Sequence, residues 1–418
     1  MGVTQTFAAT GLYSDGSSKT LDANVIWSSA NTAIATVVAS TGVASGRAVG
    51  DTEIIASVGA ITGKARLYVK APYQQVAAGD MHAVAIKADG TLWAWGGNRF
   101  GQLGDGSLID RYQPTLVGSA KSWTQIAAGE AHTLALRSDG TLWAWGSNTN
   151  GQIGDGTQND RATPTRIGSS TNWVMIAAGA RHSLGLQKDG TLWAWGRNFE
   201  GQLGNGKTSD LLVPTKIGTD KDWQLISAGS FHSIARKSSG QLFLWGSNEY
   251  GQLGIATAER ILTSPALLDT TTWLAVAAGE KHTLAIRSDG ALFSWGDNRN
   301  GQLGTPGGSR SFPGRVGESF DWISVAAGQF HSLALRKDGT LWAWGDNEFG
   351  QIGDSSVAPL RELPVLIGNS KDWLRLRAGG ASSFGLRTDG TLWAWGRNDK
   401  GQLGTGDLST RRTPVILD

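Results

Sequence analysis

Short apolar runs alternate with polar residues along most of the chain, and little of it carries the spacing of an amphipathic helix. The stretch from Trp123 to Ile167 shows the pattern. Ile126-Ala-Ala is short and apolar and predicts a first strand, A. His132 to Arg137 alternates and predicts strand B. Ser138-Asp139-Gly140 follows, and Asp-Gly between apolar runs favours a tight hairpin. Thr141 to Trp145, rich in β-forming side chains with period two, predicts strand C. A glycine-rich loop leads to Pro164-Thr165-Arg166-Ile167, strand D. Proline offers no ladder donor and so suits an edge strand or a strand's first residue.

The unit recurs. The dipeptide Trp-Gly has its Trp at 95, 145, 195, 245, 295, 344 and 395, with spacings of 50, 50, 50, 50, 49 and 51. These copies fill the chain from about residue 73 to 418. Four short strands per fifty residues, repeated seven times, predict an all-β chain built as a seven-bladed β-propeller. Residues 1–71 lie outside the repeat. They are rich in Thr, Ser, Ala and Val, and Val25-Ile26-Trp27-Ser28-Ser29 reads as a buried strand. The division predicted is 1–71 and 72–418, joined at Lys70-Ala71-Pro72, a short link stiffened by proline.

Composition narrows the function. Lys+Arg number 37 against 35 Asp+Glu, a formal net charge of +2, which argues against a nucleic-acid surface. With no cysteine there is no disulfide framework, thiolate metal site or cysteine nucleophile. Gly at 59 of 418 residues and Trp at 19 fit the all-β reading. There is no apolar run long enough for a transmembrane helix and no signal segment at the front. Met1-Gly2-Val3 reads as the start of a piece cut from a longer chain.

Ala-Ala-Gly129-x-x-His132-Thr-Leu-Ala-Leu, then Asp139-Gly140-Thr-Leu-Trp143-Ala-Trp145-Gly146-x-Asn148-x-x-Gly151-Gln-Ile-Gly154, resembles the repeat of the regulator of chromosome condensation family, whose members are seven-bladed propellers. At the front, Thr10-Gly-Leu-Tyr13-Ser-Asp15-Gly16-Ser, Trp27-Ser-Ser-Ala-Asn31, Ala33-Ile-Ala-Thr-Val37 and Gly46-Arg-Ala-Val-Gly50-Asp-Thr resemble the bacterial Ig-like domain of group 2. That resemblance implies a small β-sandwich, N-terminally truncated because the expected first strand is missing, and an extracellular or cell-surface location in a bacterium.

Most repeated residues have structural readings. All six histidines, His82, His132, His182, His232, His282 and His331, occupy one place in the repeat, and Ser382 stands there in the seventh copy. Equivalent atoms of adjacent blades are on the order of 10 Å apart, too far to share a metal that needs ligands about 2 Å away. Each His is therefore expected to open strand B and hydrogen-bond its own blade. Paired Trp residues such as Trp93 and Trp95 are expected to pack into the next sheet. Gly201-Gln-Leu-Gly-Asn-Gly206-Lys207-Thr208 fits a phosphate-loop pattern, but no helix pattern follows it. No catalytic constellation emerges, and no cofactor or metal is expected.

What differs between copies carries the functional signal. One variable pair lies between Gly and His in the A–B loop and includes Asp80-Met81, Glu130, Arg181, Phe231, Glu280-Lys281 and Phe330. The other lies between Asn and Gly in the C–D loop and includes Arg99-Phe100, Phe199, Tyr250 and Phe349. In an up-and-down blade both loops emerge on one face. The opposite hairpins are uniform, Asp-Gly in six copies and Ser239-Gly240 in the fourth. Aromatics mixed with charges on one face predict a rim for a protein partner. The family resemblance points to the same loops. In nucleotide-exchange members acidic and His residues there contact a small GTPase, and in a propeller-type β-lactamase inhibitory protein aromatics there bind the enzyme. Asp80 and Glu130 match the first pattern, Phe231 and Phe330 the second. Copy spacing never exceeds 51, which leaves no room for the exchange factor's wedge insertion. The expectation is a non-catalytic binding protein. The rivals are an inhibitor of a bacterial enzyme, a carbohydrate-binding protein and, last, an exchange factor.

Overall fold

The structure, a computed structural model, describes residues 4–21 and 23–417. Each repeat folds into one four-stranded antiparallel sheet with strands A to D in chain order, seven sheets in all. In the second blade these are Trp123–Ala128, His132–Arg137, Leu142–Gly146 and Arg161–Arg166. The described residues contain no helix. Strand B faces strand C with Thr133 opposite Trp145 and Ala135 opposite Trp143. Gly146 ends strand C at φ +100°, where a Cβ would run into the carbonyl of Ala131. The Trp-Gly dipeptide thus couples a buried ring to a turn that only glycine makes without strain.

The blades are joined by side chains that cross from one copy to the next. The second Trp of each pair, from Trp95 to Trp395, is fully buried. Trp145 packs with Val84, Ile86, Leu92 and Leu103 of the preceding blade, and its Nε1–H donates to the Gln102 carbonyl at 2.9 Å. The first Trp is half-buried: Trp143 donates to Thr141 Oγ1 at 2.9 Å and lies under the Arg137 guanidinium, 3.9 Å from the ring centre.

The histidines correct the expectation of a bond within the blade. Each Nε2 reaches the hydroxyl one residue past the His position of the next blade: His82 to Thr133 at 3.0 Å, His132 to Ser183 at 3.1 Å, and so on to His331 and Ser383 at 2.9 Å. The Thr133 hydroxyl donates to the Gln102 carbonyl at 2.9 Å, so its oxygen must accept from His82, which assigns the proton to Nε2. The rings fold back over Gly79, Gly129 and their equivalents, where a Cβ would strike the imidazole. Burial drives the imidazole pKa down to about 4 at His82 and about 3 at the other five, so the ring of ties is neutral.

Ring closure follows from the strand pairing. Arg411–Leu417 pairs with Leu392–Gly396 of its own blade, so the chain ends exchange no strand. Phe384, Leu386 and Leu392 pack instead against Tyr73, Val76 and Trp95, and Gly380 N donates to Gly79 O at 3.1 Å. This seam lacks the imidazole tie on both sides, because Ser382 replaces the His and Ala83 the hydroxyl. Installing both, Ala83→Ser with Ser382→His, is expected to stabilise the propeller by about 1 kcal/mol in urea unfolding. Ser382→His alone buries a donor without an acceptor and is expected to destabilise it. A double variant no better than the single one would refute the tie.

The first unit spans Met1–Pro72 and the second Tyr73–Asp418. In the first, one sheet holds β1 (Thr4–Thr6), β6 (Val43–Gly46) and β5 (Ala35–Val37) in that order. A second holds β4 (Ile26–Ser29), β7 (Gly50–Val58) and β8 (Ile61–Val69). A hairpin of β2 (Ala9–Leu12) and β3 (Ser18–Leu21) completes the unit. Trp27, Ala35, Ala44, Ile54 and Leu67 form the core between the two sheets. The described front carries β1, with Thr4 opposite Ser45, and so is occupied by a strand of this unit; residues 1–3 lie outside the described residues.

Candidate functional site

The A–B loops converge on the propeller axis. Backbone bonds link them around the ring, among them Glu130 N to Ala180 O at 3.2 Å and Gln329 N to Gly380 O at 3.1 Å. They enclose a mouth of about 350 Å³ lined by the Ala-Gly steps of all seven blades and by Asp80, Glu130, Glu280 and Phe231. Three carboxylates thus share one opening. Glu130 is paired with Arg181 of the next blade at 3.0 Å, and Glu280 with Lys281 at 3.4 Å. Asp80 has no ion pair among the described residues, and its carboxyl pKa is raised, first by burial and then by the charges of Glu130 and Glu280, against the pull of Arg397.

The C–D loops form the outer rim. A buried Asn holds each one: Asn148 Nδ2 donates to the carbonyls of Thr157 and Asn159 at 3.0 Å, and its Oδ1 accepts from Ile153 N at 3.0 Å. The phosphate-loop-like segment is this same loop in blade three. Asn198 Nδ2 donates to the Lys207 and Ser209 carbonyls at 2.9 and 3.0 Å, and strand Leu211–Ile217 follows instead of a helix.

All thirteen residues singled out from the sequence lie on these two loop sets. The structure brings Asp80, Glu130, Glu280 and Phe231 to the mouth. Arg181 and Lys281 stand beside it through their ion pairs. Met81 is half-buried, and its carbonyl accepts from Gly97 N at 2.7 Å. The aromatic rim is less bare than expected. Phe100, Phe231, Tyr250, Phe330 and Phe349 are half-buried, and only Phe199 stands largely free, at 70% exposure. Cations cap most of the others. Arg99 lies over Phe100, Arg197 over Phe231, and Arg397 over Phe349. Tyr250 is covered by both Lys281 and Arg299, at 4.9 and 4.5 Å. In most of these stacks the cation comes from a neighbouring blade, which spends part of the apolar surface inside the protein.

The capping residues were missed in the sequence. The position after each Trp-Gly, which reads Gly97, Ser147, Arg197, Ser247, Asp297, Asp346 and Arg397, also varies between copies, with four residue types. It supplies two of the caps and Asp297, which is fully buried under a two-pronged bond from Arg299 at 2.9 Å. The same comparison between copies contained that signal.

Seven repeated blades, closed into a ring with one individualised face, define a β-propeller of regular fifty-residue units. The RCC1-like domain model matches residues 36–225, 75–318 and 224–418, and the chain belongs to that family. Residues 1–69 match the bacterial Ig-like domain (group 2). Among solved structures, Prp20p from Saccharomyces cerevisiae is 27% identical with a TM-score of 0.73, over 81% of this chain and 87% of that one. Human WBSCR16 is 23% identical with a TM-score of 0.68, over 76% and 87%. Among curated proteins, Ice-binding protein 1 of Shewanella frigidimarina is 57% identical over 58 residues, 14% of this chain. The probable E3 ubiquitin-protein ligase HERC4 of Homo sapiens is 45% identical over 51 residues, 12% of this chain. These stretches amount to only 6% and 5% of those two proteins. No helix among the described residues is long and apolar enough to cross a membrane.

Proposed function

We propose that this is a non-catalytic, bacterial extracellular binding protein whose propeller offers its A–B and C–D loops to a protein partner. The observation that carries the reading is the acidic axial mouth, Asp80, Glu130 and Glu280, set inside a rim of aromatic rings. Rigid loops held by Asn and backbone bonds lose little entropy on docking. The mouth suits a basic side chain of the partner, and Phe199 offers the most open apolar contact. Prp20p, a relative over most of the propeller, is described with its binding to Gsp1p and histones. The bacterial Ig-like unit supports the location.

A partner captured from the native secretome supplies the test. Glu280→Lys and Phe330→Ala are each expected to weaken its binding by about tenfold or more, the range of an interface hot spot. Their thermal midpoints should stay close to the wild type's. Unchanged affinity in both variants would refute the rim.

A further inference from the structure

The A strands are the innermost of each blade, and each lies beside the A strands of the blades on both sides. Their exposed side chains therefore border the axial channel. In several blades half-buried positions of strand A tie neighbours together. Gln75 Nε2 donates to Thr124 O at 2.7 Å, Gln125 Oε1 accepts from Ile176 N at 2.8 Å, and Ser227 Oγ accepts from Ala278 N at 3.1 Å. Blade seven breaks the pattern with Arg375 and Arg377, two guanidinium groups on one side of one strand. The residue equivalent to Arg377 is alanine in five blades and Ser227 in the fourth.

Arg377 remains exposed to water, yet protein surrounds it closely enough that burial, and then the charge of Arg375, lower its pKa. Both hold together for a cation inside a channel. Its Nη1 donates to the Leu376 carbonyl at 2.8 Å. Among the described residues no carboxylate pairs with either arginine. Most of their ten N–H donors are therefore open to a ligand. Two like charges two residues apart on one strand, in a space walled by protein, repel. An oxyanion would satisfy both faults, since the guanidinium fork matches two oxygens of a carboxylate or a phosphate.

We propose that the axial channel is a binding site for a small oxyanion, of carboxylate or phosphate type, held by Arg375 and Arg377. The site adjoins the A–B loop mouth, since Arg377 directly precedes Ala378 and Gly379 in its lining.

Inorganic phosphate, and then acetate, are the probes, each against sodium chloride of equal ionic strength. The thermal midpoint of the wild type is expected to rise saturably by a few degrees with at least one of the two. The shift is expected to vanish in Arg377→Ala and to shrink in Arg375→Gln. Arg377→Ala restores the residue other blades use, so it should fold and, in low salt without the probe, match or exceed the wild-type midpoint. An equal rise in chloride would reduce the effect to screening and overturn the site. So would a shift that survives in Arg377→Ala, or none with either anion.

Discussion

Lowering the pH from 7 toward 5 is expected to unfold the propeller cooperatively, with the loss beginning near pH 6.5. Six imidazoles are buried and neutral in the folded ring, with pKa values of about 3 to 4 against 6.5 for the free side chain. A folded pKa below the unfolded one means that only the unfolded chain gains protons as the pH falls through 6.5. Above that pH both states are neutral and the histidines do not affect the balance. Between about 6 and 4 each contributes a slope of about 1.4 kcal/mol per pH unit, so six together approach about 8 kcal/mol per unit. That is comparable with the whole stability of a typical domain, about 5–15 kcal/mol. Asp80 and Asp346, whose carboxyl pKa values are raised chiefly by burial, act in the opposite direction, but they are two groups against six. Aspartates with lowered pKa, such as Asp105 and Asp155, lose their contribution only below the ordinary carboxylate range. The check is the thermal midpoint from pH 8 to 4.5, with proton uptake on unfolding measured near pH 5. Uptake of about six protons is expected, and about five in His132→Gln. A midpoint that stays flat to pH 4.5 would mean that the imidazoles are solvated.

Why the sequence showed the ring but not its ties is a matter of which residues touch. The Trp-Gly period, the Asp-Gly hairpins and the alternation in His132–Arg137 are local signals, each carried by backbone geometry within one blade. They were sufficient for four strands, seven copies and a variable face. The histidine ties join residues 50 to 52 apart, such as His82 with Thr133, and reading within one copy hides them. The clue was paired: the two copies that depart from His followed by a hydroxyl, at Ala83 and Ser382, are the first and the last, which meet at the seam. The rim shows the same limit. Phe231 and Phe349 read as free aromatics because Arg197 and Arg397 come from other blades. Arg375 and Arg377 drew no notice because strand A was read as a short apolar run, and in blade seven it is not.

Trp145→Ala is expected to cost about 3–5 kcal/mol, the range for removing a large buried aromatic. The ring is fully buried and contributes to one interface, against Val84, Ile86, Leu92, Leu103 and Val117 of the first blade. It also meets Trp123 edge-on, with centroids 6.1 Å apart. Its loss leaves a void between two sheets whose strands are each tied in register, so neither can move far to fill it. The polar part of the loss is small by comparison. The Gln102 carbonyl that accepts from Trp145 also accepts from Thr133, and so is not orphaned. Trp145→Phe, which keeps most of the apolar contact and gives up the indole N–H, should therefore lose clearly less than the alanine variant. Trp143→Ala is the internal control. That ring is half-buried at the edge of the same cluster and bonded to Thr141 of its own hairpin, so its removal empties less of the interface and should also cost less. Urea unfolding of the three variants decides the matter. If Trp143→Ala proved as damaging as Trp145→Ala, the blades would be held by their outer faces and not by indoles driven between them.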